Sequence, residues 1–224
     1  MTYTELVAAI EAYTENYEDL FVANIPVFVR QAEKRIYNTA QIPALRKNVT
    51  GETKANNKYL PCPVDFLSTY SLAIIDADGN YEYLLNKDVN FIRAAYPSPS
   101  DTGIPRYYSI FGPAVASEII SDELTFILGP TPDAVYSAEL HYYYYPESIT
   151  EAADGRTWLG DNYDPVLLYG SLMEAYTFMK GEQDVMAFYA QKYADALQQL
   201  IRLGDGLERG DAYREGQARI KVTT

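Results

Sequence analysis

The chain has 224 residues, a hydrophobic fraction of 48% and 22 tyrosines against 8 phenylalanines and 1 tryptophan. This composition can bury a core, and tyrosine suits both cores and half-buried positions at subunit boundaries because its apolar ring ends in a hydroxyl. The net charge is −13, from 18 Lys and Arg against 31 Asp and Glu. Such an acidic surface repels phosphates, which argues against a protein that reads DNA or RNA sequence.

Single copies of two reactive residue types restrict the possible chemistry. Cys62 is the only cysteine, so no intrachain disulfide or cysteine cluster can form, and we expect a buried thiol. His141 is the only histidine, which rules out a histidine pair or triad and any two-histidine metal site. The N-terminus lacks a basic region and the apolar runs are shorter than a membrane span, so neither a signal peptide nor a membrane segment is expected.

Helices are predicted at the N-terminus. Apolar and aromatic residues recur at helical spacing in the first segment, on one face that comprises Leu6, Ile10, Tyr13 and Tyr17. A second helix is expected to begin at Asn24 and Pro26, which are typical of a helix start. It should end near Gln41, because Pro43 disfavours helix at the residue before it.

From about Lys47 the pattern changes to short strands separated by turns. Two hairpins are predicted, one with a polar tip at 54–58 and one with its turn at 76–80, where Asp-Gly accepts positive φ. A helical turn at 64–67 and a brief helix at 88–96 are also expected. The predicted strands are 48–53, 59–61, 70–75, 81–85, 106–111, 114–120, 124–128 and 135–145.

The last of these strands is aromatic on both faces. Alternation puts one set on one side, namely Tyr136, Ala138, Leu140, Tyr142 and Tyr144. The opposite side holds Ser137, Glu139, His141, Tyr143 and Tyr145. A strand of this kind is expected to be covered on both sides, by its own chain or by a neighbour.

Helices return at Pro165, with a break at Gly181 and an end at Gly204–Gly206. Residues 204–224 carry four acids, four bases and four glycines with little apolar content, so they cannot build a core and are interpreted as an arm. The predicted fold is therefore α+β. N- and C-terminal helices, 1–46 and 162–203, pack as a bundle, with an antiparallel β-rich domain inserted at 47–161 and an extended C-terminal arm at 204–224.

No motif in the chain predicts a catalytic, cofactor or metal site. Asp76–Asn80 resembles the opening of a calcium loop, but Lys87 stands where the glutamate ligand should be. Trp158 with Asp161 and Asp164 leaves open an acidic carbohydrate-binding or hydrolytic protein, although helix capping explains Asp164 before Pro165 more simply. We expect no enzyme and no cofactor.

Several segments together resemble the head–tail adaptor, or connector, proteins of tailed phages, including the tail-tubular-protein-A type of short-tailed phages. The resemblance spans most of the chain and is carried by Pro63–Leu67, Asp88–Pro97, Trp158, Leu167–Ala175 and Phe178–Lys180. It implies a dodecameric ring at the head–tail junction of the virion, assembled in the host cytoplasm. It also implies a portal protein on one side, a tail nozzle or the next tail protein on the other, and DNA passing through the lumen without sequence-specific binding.

The resemblance implies roles for two groups of residues. The C-terminal arm is expected to dock into the portal, with contacts from Arg209, Tyr213, Arg214, Arg219 and Lys221. The two-sided strand is expected to supply a subunit interface through Tyr142, Tyr143, Tyr144 and Tyr145, since large amphipathic side chains suit such contacts. A minor tail-completion protein with another neighbour is a further possibility.

Overall fold

A computed structural model of the chain describes residues 1–112 and 124–208. The helices are α1 (Tyr3–Thr14), α2 (Asp19–Thr39), α3 (Val89–Ala95), α4 (Trp158–Asn162), α5 (Asp164–Phe178) and α6 (Gln183–Glu208), with a 3-10 turn at Pro43–Leu45. The strands are β1 (Arg46–Glu52), β2 (Tyr59–Pro61), β3 (Phe66–Ile75), β4 (Tyr81–Tyr83), β5 (Leu85–Asn86), β6 (Tyr107–Phe111), β7 (Thr125–Gly129) and β8 (Ser137–Tyr144). The predicted α+β class is confirmed.

The chain forms two compact units. One combines Met1–Leu45 with the chain from Pro146 onward and is helical; the other, Arg46–Tyr145, holds the strands. The predicted insert ended at residue 161, whereas residues 146–161 lie in the helical unit. They are held there by backbone contacts with the N-terminal helices, such as the Tyr3 N–H donating to the Gly155 carbonyl.

The two N-terminal helices differ from the prediction at their ends. A capping box between Thr2 and Glu5 starts α1, which ends at Thr14, so Tyr17 is not on its buried face. Helix α2 begins at Asp19 and contains Pro26, so the predicted start at Asn24 is wrong. The buried stripe of α2 already includes residues before the proline, and their packing outweighs the hydrogen bond that Pro26 cannot donate.

Helix α5 lies at the centre of the helical unit and packs against α1, α2, α4 and α6. Gly170 makes this possible, because a Cβ there would lie 3.1 Å from the Ala32 Cβ on α2 and 3.2 Å from the Tyr193 ring on α6. Helix α6 does not end at Gly204–Gly206 as predicted but continues to Glu208. Gly204 is buried against Ile42, where only a hydrogen fits, so the glycine serves close packing and does not stop the helix.

The β-rich unit contains two four-stranded sheets with the orders β1-β8-β3-β4 and β2-β7-β6-β5. The pairings are antiparallel except for β5 with β6. Buried side chains from both sheets share one core, which includes Cys62, Phe66, Leu72, Phe126 and Leu140. The expected buried thiol is therefore present, and the unit is a small sandwich.

The hairpin predictions had different outcomes. The hairpin at 76–80 is confirmed by pairing of β3 with β4, with Asp76 Oδ1 accepting from the Asp78 and Asn80 N–H groups. The one at 54–58 is wrong, because β1 pairs with β8 and β2 with β7, in different sheets. The predicted helical turn at 64–67 is only a tight turn that leads into β3. The predicted strand 114–120 lies outside the described residues.

Candidate interaction surfaces

Strand β8 lies between β1 and β3, and the tyrosine at position 142 points into the sandwich core. Its hydroxyl donates to Asp65 Oδ1 at 2.8 Å, and Lys47 Nζ donates to Asp65 Oδ2 at 2.7 Å. Burial and the bond to Asp65 raise the pKa of Tyr142 to about 12. Burial opposes ionisation of Asp65, but the bonds from Lys47 and Tyr142 outweigh it and lower the pKa of that carboxyl. Tyr142 is thus fixed inside its own unit.

The outer face of the same sheet carries an aromatic surface. The Tyr143 ring meets the Tyr70 ring edge-on at 6.4 Å, and the Arg46 guanidinium lies 4.1 Å from the centre of the Tyr70 ring. On β4, Tyr81 and Tyr83 stack with centroids 6.2 Å apart. The side chains of Tyr70, Tyr81 and Tyr83 are 58%, 50% and 64% exposed. Their rings are large, amphipathic and available for contact with another protein.

His141 also lies on this outer face, among polar partners. Its Nδ1 is 3.2 Å from the Ser71 hydroxyl, and its Nε2 is 3.5 Å from Glu139 Oε1. Asn48 Nδ2 donates to the same carboxylate oxygen at 2.7 Å. These contacts fit the expected role of His141 as a hydrogen-bonded structural residue.

The four tyrosines predicted for a subunit interface have unequal access to solvent. Tyr142 and Tyr143 are 3% and 8% exposed. Tyr144 is half-buried, with Lys47 Nζ 4.0 Å from its ring centre, and Tyr145 is 38% exposed. Their assignment to an interface stays a prediction. Within this tyrosine run, Tyr145 has the largest exposed fraction.

A second aromatic surface lies at one end of the helical unit. Phe178 at the end of α5 packs against Phe28 with ring centroids 5.2 Å apart, yet it is 43% exposed. At the start of α6, the exposed Phe188 meets Tyr189 at 5.4 Å, and Tyr189 meets Tyr176 at 5.0 Å. Each of these two ring clusters has an exposed member, Phe178 in one and Phe188 in the other.

The acidic and aromatic residues of the carbohydrate hypothesis lie on α4 and at the start of α5. Thr157 caps α4, whose first residue is the half-buried Trp158. Asp161 accepts from Arg156 Nε at 3.1 Å. Asp164 is in the first turn of α5, where the helix dipole favours a negative charge. The three residues therefore have local structural roles.

Glu33 is a buried carboxyl that the sequence pattern did not single out. It is 2% exposed on α2 and accepts the Ile149 N–H at 2.9 Å and a bond from the Ser148 side chain. Burial raises the pKa of Glu33. The carboxyl fixes the segment that enters the helical unit before α4.

The residues predicted to contact a portal lie outside the described residues. They are Arg209, Tyr213, Arg214, Arg219 and Lys221.

In the part of the chain that the structure describes, no helix has both the length and the apolar character needed to cross a membrane. Two compact units with exposed aromatic side chains are typical of a protein that contacts other proteins. The family model described as SU10 adaptor protein matches residues 1–220, and the chain belongs to this family. It is therefore a phage adaptor protein and a component of the virion, which confirms the adaptor resemblance at this level. A comparison with curated proteins gives no match.

Proposed function

We propose that this adaptor forms a dodecameric ring that joins the portal to the tail at the head–tail junction, in the manner of tail-tubular-protein-A-like adaptors. The observation that carries the proposal is the adaptor-family match over residues 1–220, which includes both compact units and most of the C-terminal segment. The protein assembles in the host cytoplasm. Its other end meets the tail nozzle or the next tail protein.

The surfaces of the two units support assembly into a ring. A ring closes through heterologous contacts, so each copy must offer two different surfaces to its neighbours. The tyrosine face of the sheet and the aromatic end of the helical bundle are two such surfaces, and they belong to different units. Amphipathic aromatic side chains are enriched in protein interfaces.

The net charge supports passage of DNA through the ring. Lys and Arg contacts hold DNA by neutralising its phosphates and releasing counterions. A protein with a net charge of −13 has little capacity for such retention. A lumen built from it lets DNA pass without sequence-specific binding.

Docking to the portal is assigned to the C-terminal arm. Residues 209–224 contain the bases Arg209, Arg214, Arg219 and Lys221 against two acids, together with Tyr213. Such a polar segment can order on a partner surface, at an entropic cost that the new contacts offset. Helix α6 packs as far as Gly204 and includes Glu208, so residues 204–208, the first part of the predicted arm, are helical.

The test is to mix the purified protein with portal rings of the phage that encodes it and to image the complex by cryo-electron microscopy. The full chain is expected to add a ring of twelve copies, and a chain ending at Glu208 should stay folded by circular dichroism but add none. A full-length variant with alanine at the arm's four bases separates the loss of charge from the loss of chain. Equal ring formation by the truncated protein refutes arm docking. Absence of a ring with the full chain refutes the proposed function and favours a tail-completion protein.

A further inference from the structure

The loop between α1 and α2 and the first two residues of α2, together residues 15–20, expose both apolar and acidic side chains. Tyr17 and Leu20 are 67% and 69% exposed, among the most accessible large hydrophobic residues that the structure describes. Glu15, Glu18 and Asp19 are exposed beside them. We call this segment the acidic loop.

The acidic loop is attached firmly to the helix ends behind it. Asn16 Nδ2 lies 3.4 Å from Met179 Sδ, and the Tyr176 hydroxyl donates to the Tyr13 carbonyl at 3.1 Å. Glu15 holds a left-handed conformation with φ of 50°, which turns the chain sharply after α1. A loop held in this way loses little conformational freedom when it binds.

The side chains around the acidic loop in the sequence are acidic and not basic. The first 29 residues contain five acids and neither Lys nor Arg. The loop's own side chains therefore carry negative charge, and a partner that covers Tyr17 and Leu20 beside these acids must combine apolar surface with cations.

The β-rich unit has a surface of this complementary kind, which we call the basic pocket. It is a concave site of about 260 Å³ between α3, the segment before β2 and strand β7. Lys58 and Arg93 line it, together with the rings of Tyr59 and Tyr96, and its described lining residues include no Asp or Glu. Its volume is below the usual range for small-molecule sites and suits one or two inserted side chains.

The rim of the basic pocket continues the same chemistry. Tyr59 is 42% exposed, with Lys58 Nζ 5.5 Å from its ring centre. Cations beside exposed rings can accept an apolar residue flanked by carboxylates, because the ring packs against the apolar group while the ammonium pairs with the acid.

We propose that the acidic loop of one copy inserts into the basic pocket of the next copy and forms the repeating contact of the ring. The inference rests on the ring described under Proposed function. Each copy has one loop and one pocket on different units, so the contact is heterologous and can repeat around a ring. Copies that each carry a charge of −13 repel one another, and this contact brings unlike charges together.

The experiment uses two charge-reversal variants of the full chain. The loop variant carries Glu15→Lys and Glu18→Lys, and the pocket variant carries Lys58→Glu and Arg93→Glu. Each is supplied from a plasmid during infection by a phage that lacks the gene. Copies of the adaptor per purified particle are then measured by quantitative mass spectrometry. Alone, each variant brings like charges together at every contact, and incorporation should fall about tenfold or more.

Supplying both variants together gives the decisive result. A loop variant and a pocket variant alternate around an even-numbered ring with unlike charges at every contact, so incorporation should recover to within about threefold of wild type. A variant with Glu147→Lys and Asp195→Lys, two exposed acids of the helical unit, has the charge change of the loop variant and should incorporate normally. Circular dichroism of each purified variant verifies folding.

Two results would overturn the inference. One is normal incorporation of either folded variant alone. The other is no recovery with the two variants together, which would mean that the loop and pocket meet other proteins or each other within one chain. The portal-binding experiment on the wild-type chain is independent of this rescue, so a failure of the proposed function and a failure of this contact are distinguishable.

Discussion

Glu33 shows how a single side chain can organise a junction between distant parts of the sequence. The carboxyl belongs to α2, and its partner Ile149 lies 116 positions later, just inside the helical unit. A buried acceptor that meets two donors stabilises one arrangement of the chain and penalises others, because an unpaired buried N–H loses its hydrogen bond to water. The sequence gives no sign of this role, since an acidic residue between basic neighbours is typical of an exposed helix face.

The raised pKa of Glu33 makes stability depend on pH. Burial favours the neutral acid in the folded state, so the folded chain binds this proton more tightly than the unfolded chain. The stabilisation of the folded chain by this proton is complete at a pH below the Glu33 pKa of the unfolded chain. It is lost as pH rises above 4.5 and passes through the higher Glu33 pKa of the folded chain. Because Glu33→Gln does not titrate, its free energy of unfolding should improve relative to wild type as pH rises from 4.5 to 7, measured by urea denaturation.

Two observations accompany this measurement. Glu33→Ala leaves the Ile149 N–H unpaired and is expected to lose about 1–3 kcal/mol at every pH, which separates the hydrogen bond from the titration. Parallel stability curves for wild type and Glu33→Gln across this pH range would show that the carboxyl has an ordinary pKa and contradict the prediction.

At the scale of the element, α6 depends on two glycines that have opposite surroundings. A Cβ at Gly204 would lie 2.4 Å from the Ile42 Cγ2, whereas a Cβ at Gly206 would meet nothing within 4 Å. Alanine favours a helix over glycine by about 1 kcal/mol when space is available. Gly206→Ala is therefore expected to raise the thermal midpoint and Gly204→Ala to lower it, with a loss of about 1–3 kcal/mol from overpacking.

The pair contains its own control, because the same substitution is made two residues apart in one helix. If α6 ended near residue 203, as the sequence pattern indicates, both positions would lie in the arm. The two variants would then unfold with wild type in differential scanning calorimetry. Opposite shifts require the continuous helix and its contact with the 3-10 turn.

Local signals in the sequence predicted several elements, and non-local contacts account for most errors. The Asp-Gly turn at 76–80 and the helix after Asp88 depend on neighbouring residues, and both are present. The pairing of β1 with β8 joins Arg46 to Tyr143 across the unit, and no local pattern encodes it. The glycines at 204–206 were predicted to end α6. The sequence pattern could not show that Gly204 instead packs against Ile42, because that residue is distant in sequence.

The interaction surfaces, too, were predicted where local sequence signals determine them and missed where they depend on non-local contacts. Alternation in β8 correctly separated the inward Tyr142 from the outward Tyr143. Tyr81 and Tyr83 were not recognised as part of the outer face, because only the strand order places β4 in that sheet. The basic pocket combines Lys58 with Arg93 through the pairing of β2 with β7 and the packing of α3, so it too was invisible to spacing.

At the scale of the whole molecule, the chain divides into a helical unit and a β-rich unit. The chain leaves the helical unit after Leu45 and returns at Pro146, so the strands that the structure describes lie in one continuous segment. Its two ends are neighbours, since Arg46 pairs with Tyr143 across β1 and β8. A segment with adjacent ends and its own core has the usual properties of an independent domain.

The excised segment Arg46–Tyr145 is therefore expected to fold alone. Its core draws on both sheets within the segment, so the fragment should unfold in one cooperative thermal transition and keep the near-ultraviolet circular dichroism of its packed tyrosines. A shorter fragment, Arg46–Gly129, is the matched control because it lacks β8, the central strand that pairs with both β1 and β3. This control should show no cooperative transition. A gradual thermal transition of the longer fragment would mean that the sandwich needs the helical unit to fold. Similar transitions for both fragments would mean that β8 does not organise the sheet.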